Sequence, residues 1–143
     1  MNICEEIITK IKARLVEILL LRRRYTKKYD GSYVSDGDNL IQSIVLEYVR
    51  SNLPGYNLIS EELAILDNNW DENASYVVLD PIDGTENFVS GLKEWGVGIS
   101  IYSVGKHLQS CIYLPELDEL QITGMPLHKF QSRIYGLSSS LNK

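Results

Sequence analysis

Histidine and cysteine occur twice each in this 143-residue chain, and so do tryptophan, phenylalanine and methionine. The two cysteines, Cys4 and Cys111, lie far apart and make no metal-ligand spacing. Buried thiols in a reducing, cytoplasmic setting are the expectation. With so few His and Cys side chains, a zinc-type ligand set is not expected. His107 and His128 fall in or near expected β turns and read as surface residues. Long apolar runs are missing as well. Ile18-Leu19-Leu20-Leu21 is far short of the ~18 residues a membrane span requires, and charged residues precede it. Neither a membrane segment nor a secretory signal is therefore expected, and the sequon Asn73-Ala74-Ser75 carries little meaning without secretion. Positive charge is scarce: 14 Lys and Arg stand against 19 Asp and Glu, a net charge of −5. That balance argues against nucleic acid as a partner, yet it leaves an anionic substrate open if a bound cation intervenes.

What remains is ordinary globular material, 44% hydrophobic and 23% charged. No repeat or linker divides it, so one domain over residues 1–143 is expected. Ile7, Ile11, Leu15, Ile18 and Leu19 recur at helical spacing, predicting a first helix over 2–24. Arg22-Arg23-Arg24 closes it, either as a solvated helix end or as a phosphate- or membrane-facing patch. A polar loop follows over 25–38, in which Ser35 and Asp38 resemble a capping pair. A second helix is predicted from about Asn39 to Ser51, on the spacing of Ile41, Ile44, Val45, Tyr48 and Val49. Pro54-Gly55 ends it. Tyr56–Ser60 and Tyr76–Leu79 read as strands with a loop between them. After Gly91 the texture turns to β: Trp95–Val104, a Gly105-Lys106 turn, Leu108–Leu114, Leu117–Thr123, and a further candidate at Phe130–Leu137.

The chemistry concentrates where two strands end in carboxylates. Glu61 and Glu62 follow Ser60; Asp80 follows Leu79 and opens Asp80-Pro81-Ile82-Asp83-Gly84-Thr85. Asp-Pro and Asp-Gly are also ordinary turn dipeptides, so the hexapeptide alone does not define a site. If the strands are neighbours, however, the carboxylates converge at one sheet edge. Two unit charges 4 Å apart repel by about 4 kcal/mol at an effective dielectric of 20. Protonation or a divalent cation would offset that. An all-oxygen set with a backbone carbonyl suits Mg2+. Pro81 stiffens the link between the aspartates, and Gly84 allows close backbone approach to a ligand.

These motifs resemble the inositol monophosphatase family of Mg2+-dependent, lithium-sensitive phosphatases. The resemblance rests on Ser60-Glu61-Glu62, on Asp80-Pro-Ile-Asp-Gly-Thr-Glu-Asn-Phe88, on the loop Lys28-Tyr-Asp-Gly-Ser-Tyr-Val-Ser-Asp-Gly-Asp38, and on Tyr113-Leu114-Pro115-Glu116. It implies a mixed α/β fold, the N-terminal layer of an αβαβα sugar-phosphatase fold, with two helices on a largely antiparallel sheet. It also implies site roles. Glu61, Asp80 and the Ile82 carbonyl would hold one Mg2+, and Asp80 with Asp83 would contribute to a second. The Asp83-Gly84-Thr85 turn would bind substrate phosphate through the Gly84 and Thr85 amides. Thr85 with Glu61 would orient the attacking water, and Asp38 would support Thr85. The implied substrate is a small phosphate monoester of the inositol phosphate type, or a nucleotide or sugar bisphosphate.

The sequence departs from the family pattern at Ser60 and Gly37, where glycine and alanine are usual; Gly37 is expected to loosen the start of the second helix. The resemblance further implies that the chain carries the first half of the fold. Trp70-Asp71 precedes the hexapeptide and so does not supply the W-D aspartate that completes the second metal site. A homodimer, a complementing C-terminal half, or a non-catalytic remnant are the corresponding expectations.

Overall fold

Asn2 accepts a hydrogen bond from the Glu5 amide and starts the first helix, α1 (Ile3–Ala13). The computed structural model describes residues 2–63 and 71–126. Trp70, His128, the candidate strand Phe130–Leu137 and the serine-rich tail lie outside the described residues. The single helix expected over 2–24 is broken at Arg14, whose φ of −113° and ψ of 14° leave the helical region. A second helix, α2 (Leu15–Leu20), and a 3₁₀ turn over Leu21–Arg23 follow. Periodicity does not register this break. Arg14 is a good helix former, and its lost helical bond is made up locally. Its N–H donates to Ile11 O, and its guanidinium forks onto both Glu17 oxygens at 2.7 and 2.9 Å.

A short hairpin, β1 (Tyr25–Lys27) and β2 (Tyr33–Ser35), leads into the long helix α3 (Asp36–Asn52). α3 begins three residues before the expected Asn39, because the Ser35–Asp38 pair forms a true capping box. The next strands, β3 (Tyr56–Ser60) and β4 (Ser75–Asp83), run parallel. A six-residue helix, α4 (Thr85–Ser90), follows, and then the antiparallel strands β5 (Gly96–Ser103), β6 (Lys106–Leu114) and β7 (Glu119–Ile122). The five-stranded order is β3-β4-β5-β6-β7. The fold is therefore mixed α/β with a largely antiparallel sheet, as expected.

Register dictates the core. Val77 faces Ile101, Leu79 faces Ile99, Ile99 faces Cys111 and Cys111 faces Ile122, which puts all of them on one side of the sheet. That side packs on Ile7, Ile8 and Ile11 of α1 and on Ile41, Val45 and Tyr48 of α3. Burial of such side chains stabilises by roughly 1.5–3 kcal/mol each. Cys4 and Cys111 are both buried free thiols in this core.

Gly37 does not loosen α3. A Cβ there would lie 3.0 Å from Cε1 and Cζ of the Phe88 ring. Phe88 is fully buried and packs edge-on against Trp95, with centroids 4.8 Å apart. It has little room to retreat. Gly37→Ala gains up to ~1 kcal/mol of helix propensity but overpacks the site by about 1–3 kcal/mol. The expected outcome is a net loss of about 1 kcal/mol, read as a lower urea midpoint; a raised midpoint would contradict the packing.

Candidate active site

The parallel pairing of β3 with β4 matches Ser60 to Leu79. Glu61 follows the last residue of β3 and Asp80 follows Leu79 on β4, so the register brings the two carboxylates to one end of the sheet. The aspartates do not sit beyond the strand in a turn, as the dipeptides suggested. They belong to the irregular end of β4. Asp80 pairs with Gly98 and Asp83 with Gly96, so three steps along β4 match two along β5. One extra residue is thus accommodated as a bulge. Its effect is chemical. Residues three apart in a regular strand point to opposite faces. Here Asp80 and Asp83 both pair with glycines two apart on β5, so they share a face. Pro81 donates no hydrogen bond to the ladder and is tolerated in a bulge. Ile82 turns inward and is buried.

Asp80 feels this crowding. Burial first, and then the charges of Asp83, Glu61, Asp38 and Glu62, push its pKa up to about 6. Its Oδ1 is buried with no hydrogen-bond partner. An orphaned buried carboxylate oxygen calls for a proton or a cation. The remaining candidates spread around it: Glu61 and Asp83 are exposed, while Glu62, Gly84 and Thr85 are half-buried. Among the described residues, no three Asp, Glu, His or Cys side chains converge tightly enough to cage an ion. The donors are nevertheless all oxygen and match a hard cation in type.

Asp38 is buried at the start of α3. Its Oδ2 accepts from the Ser35 amide at 2.8 Å and the Ser35 hydroxyl at 2.6 Å. Burial raises its pKa, and these bonds act against the rise. Its other oxygen, Oδ1, lies 3.3 Å from Thr85 Oγ1, which lies 2.9 Å from the Ile82 carbonyl. One hydroxyl proton thus has two acceptors, and the closer carbonyl is favoured. Gly84 precedes α4 with a φ of 87°, a conformation suited to glycine, and offers no side-chain cap. The first amides of a helix lack intrahelical acceptors. Thr85→Ala removes the hydroxyl that joins this turn to α3; a loss of about 1 kcal/mol is expected in thermal unfolding, and an unchanged Tm would show the link to be idle.

Three residues carry structure here that their sequence roles did not suggest. Lys28 reaches from the loop after β1 to Glu62 Oε1 at 2.6 Å and Glu61 Oε1 at 3.4 Å. Burial lowers its pKa, but the pairing with Glu62 and Glu61 outweighs burial and leaves it raised. Its only sequence signal was its place at the head of the Lys28–Asp38 loop. Arg22, expected at a solvated helix end or in a phosphate- or membrane-facing patch, is instead half-buried. It pairs with Glu116, which also accepts the Trp95 indole N–H at 2.7 Å. The guanidinium stacks 4.9 Å over Phe88. Ser60 is buried with an unpartnered hydroxyl. His107 is exposed, as expected, and bonds Ser110 Oγ at 2.7 Å. No described helix is long and apolar enough to cross a membrane.

Nus factor SuhB of Vibrio cholerae is 30% identical over 95 residues, covering 66% of this chain and 35% of that protein. The inositol-1-monophosphatase of Mesorhizobium japonicum is 31% identical over 96 residues, covering 67% and 35%. Among solved structures, extragenic suppressor protein suhB from Bartonella henselae matches with a TM-score of 0.70 and 27% identity, over 86% of this chain and 48% of that one. An IMPase/NADP phosphatase complexed with Mg2+ and phosphate matches with a TM-score of 0.72 at 20% identity, a likeness of fold alone, over 84% and 45%. The chain thus spans about a third of the length of these sequence relatives and just under half of the solved chains. A family model, that of the inositol monophosphatase family, matches residues 3–131, and on that match the chain belongs to the inositol monophosphatase family.

Proposed function

We propose that this chain supplies the carboxylate arm of a Mg2+-dependent phosphatase centre that hydrolyses a small phosphate monoester of the inositol phosphate type. One observation carries the reading: Asp80 holds a buried, unpartnered oxygen among four other carboxylates, on the face it shares with Asp83 and beside Glu61. Related proteins have been solved with Mg2+ or Ca2+, which supports a divalent ion as the counter-charge. Glu61, Asp80 and the Ile82 carbonyl would hold it, with Asp83 beside them. When bound, Mg2+ lowers the pKa of a water and offsets charge developing on phosphoryl oxygens. The protein's own groups do the rest. Glu61 and Thr85, the latter held between Ile82 and Asp38, would orient the attacking water, and the Gly84 and Thr85 amides would bind the substrate phosphate.

A second reading keeps the metal arm but makes it depend on a complementing partner. It is favoured by the lack of a three-carboxylate cage among the described residues. One assay separates the two. Phosphate release from inositol monophosphate is followed against Mg2+ concentration for the chain and for Asp80→Asn. Release that needs both Mg2+ and Asp80 supports the first reading. Mg2+ binding without release supports the second. Equal, metal-independent behaviour of both proteins removes both.

A further inference from the structure

We infer that Cys4 and Cys111 form a peroxide-responsive dithiol, whose oxidation closes a disulfide between α1 and β6 and staples the first turn of that helix to the sheet. The inference stands apart from the carboxylate centre and uses none of its residues.

Two anchors fix α1 along β6. At the helix start the Cys4 amide donates to Gln109 Oε1 at 2.9 Å. Near its end the Lys12 ammonium lies 5.1 Å over the Tyr113 ring and bonds Asp118 Oδ1 at 2.7 Å. From Cys4 to Lys12 a helix rises about 12 Å, and from Gln109 to Tyr113 a strand rises about 13 Å. Helix and strand therefore advance in step. Gln109, Cys111 and Tyr113 pair with Ile101, Ile99 and Val97, so all three point to the core face of β6. Cys4 belongs to the buried stripe Cys4, Ile7, Ile8 and Ile11 of α1. Its side chain thus enters the core beside Cys111, and the two thiols are hydrogen-bonded to each other. The chain has no other cysteine to compete for either.

The pair is unequal, which sets the order of events. The Cys111 S–H donates to the Cys4 sulfur. That bond holds the Cys4 thiol below its ordinary pKa against the effect of burial, while the same bond, with burial, pushes the Cys111 thiol up. Cys4 is therefore the nucleophile. Its thiolate attacks one oxygen of hydrogen peroxide; the O–O bond breaks, the second oxygen leaves as hydroxide, and Cys4 becomes a sulfenic acid. The Cys111 sulfur then attacks the Cys4 sulfur. The S–O bond breaks, and the departing hydroxide takes the Cys111 proton and leaves as water. Both thiols are buried, so only a small oxidant reaches them. Entry is through the first turn of α1, because helix ends open at little cost in free energy.

The test treats the full chain with hydrogen peroxide, alkylates remaining thiols with iodoacetamide in urea and reads the intact mass. The expected product is a single chain with neither cysteine alkylated, in which a non-reducing digest joins the Cys4 peptide to the Cys111 peptide. Its thermal midpoint is expected to rise by roughly 10 °C and to fall back in dithiothreitol. In Cys111→Ala a sulfenic-acid trap such as dimedone is expected to label Cys4, and in Cys4→Ala to leave Cys111 unlabelled; the reverse pattern overturns the assigned order. Both cysteines alkylated after peroxide treatment, or cross-links only between chains, overturn the dithiol itself. A disulfide that forms but lowers the midpoint overturns the staple. No readout here depends on phosphate release or metal, so the carboxylate centre stands or falls separately.

Discussion

Asp80→Asn is expected to make the metal-free protein more stable at neutral pH while ending its response to Mg2+. The folded chain holds the Asp80 proton up to about pH 6, against an ordinary value of 3.8. Below 3.8 both folded and unfolded chains carry it. Between the two values only the folded chain does, so stability falls as pH rises through this window. Above about 6 the cost is complete. Taken whole, the gap amounts to about 3 kcal/mol, and screening at a partly exposed carboxylate reduces it to about 1–2 kcal/mol. Asparagine carries no charge, so the variant's stability should be flat across pH 4–6.5 apart from other groups. Urea unfolding in EDTA at several pH values measures this. Added Mg2+ should raise the parent's midpoint by ligand linkage and leave the variant's unmoved. Any Mg2+-dependent phosphate release should drop on the order of 1000-fold. A variant less stable than the parent at pH 7 would show that Asp80 is not strained by its neighbours.

Glu116→Ala carries the largest expected loss of stability, about 2–4 kcal/mol in urea unfolding. The carboxylate stands where three elements meet. It accepts the indole N–H of Trp95, which is 1% exposed, and it neutralises Arg22. Arg22 already carries one unpartnered buried nitrogen, Nε. Alanine would strand both a buried indole donor and a half-buried guanidinium. Glu116→Gln keeps an acceptor for the indole and loses only the charge, so about half the effect is expected. The consequence reaches the site. Arg22 covers Phe88, Phe88 packs on Trp95, and Phe88 lies in the helix that Thr85 begins. Losing Glu116 should therefore loosen the Gly84–Thr85 turn, seen as faster amide hydrogen exchange there. A loss under 1 kcal/mol would mean that the network is solvated.

Much of this was legible in the sequence where short-range rules govern. α3 follows from Ile41, Ile44, Val45, Tyr48 and Val49, because a 3.6-residue repeat leaves one buried stripe. The Ser35–Asp38 cap involves groups three residues apart, and its chemistry is local. Strand β3 is bounded by Pro54-Gly55 and by Glu61-Glu62, so the placement of those two carboxylates at a strand end needed no tertiary information. Even the β5–β6 hairpin is announced by Gly105, whose φ is +72°.

Other features depended on partners distant in sequence. The bulge that brings Asp80 and Asp83 to one face exists only because β5 offers Gly98 and Gly96 as its partners. Arg22 looked like part of a solvated helix end or of a phosphate- or membrane-facing patch, since nothing near it reveals Glu116, which lies 94 residues away. Lys28 reaches Glu62 across 34 residues, and no spacing rule relates a loop to a strand end. The tight fit of Gly37 against Phe88 was likewise invisible, because helix propensity counts the glycine and not the ring above it. By itself the sequence determined which groups are acidic, which segments are regular and where each carboxylate stands along its own strand, since these depend on neighbours a few residues apart. Only the tertiary structure decided which of those carboxylates share a face, that Lys28 pairs with Glu62 and Glu61, and how the turn after the aspartates is braced, because strand register and side-chain reach arise when distant segments pack.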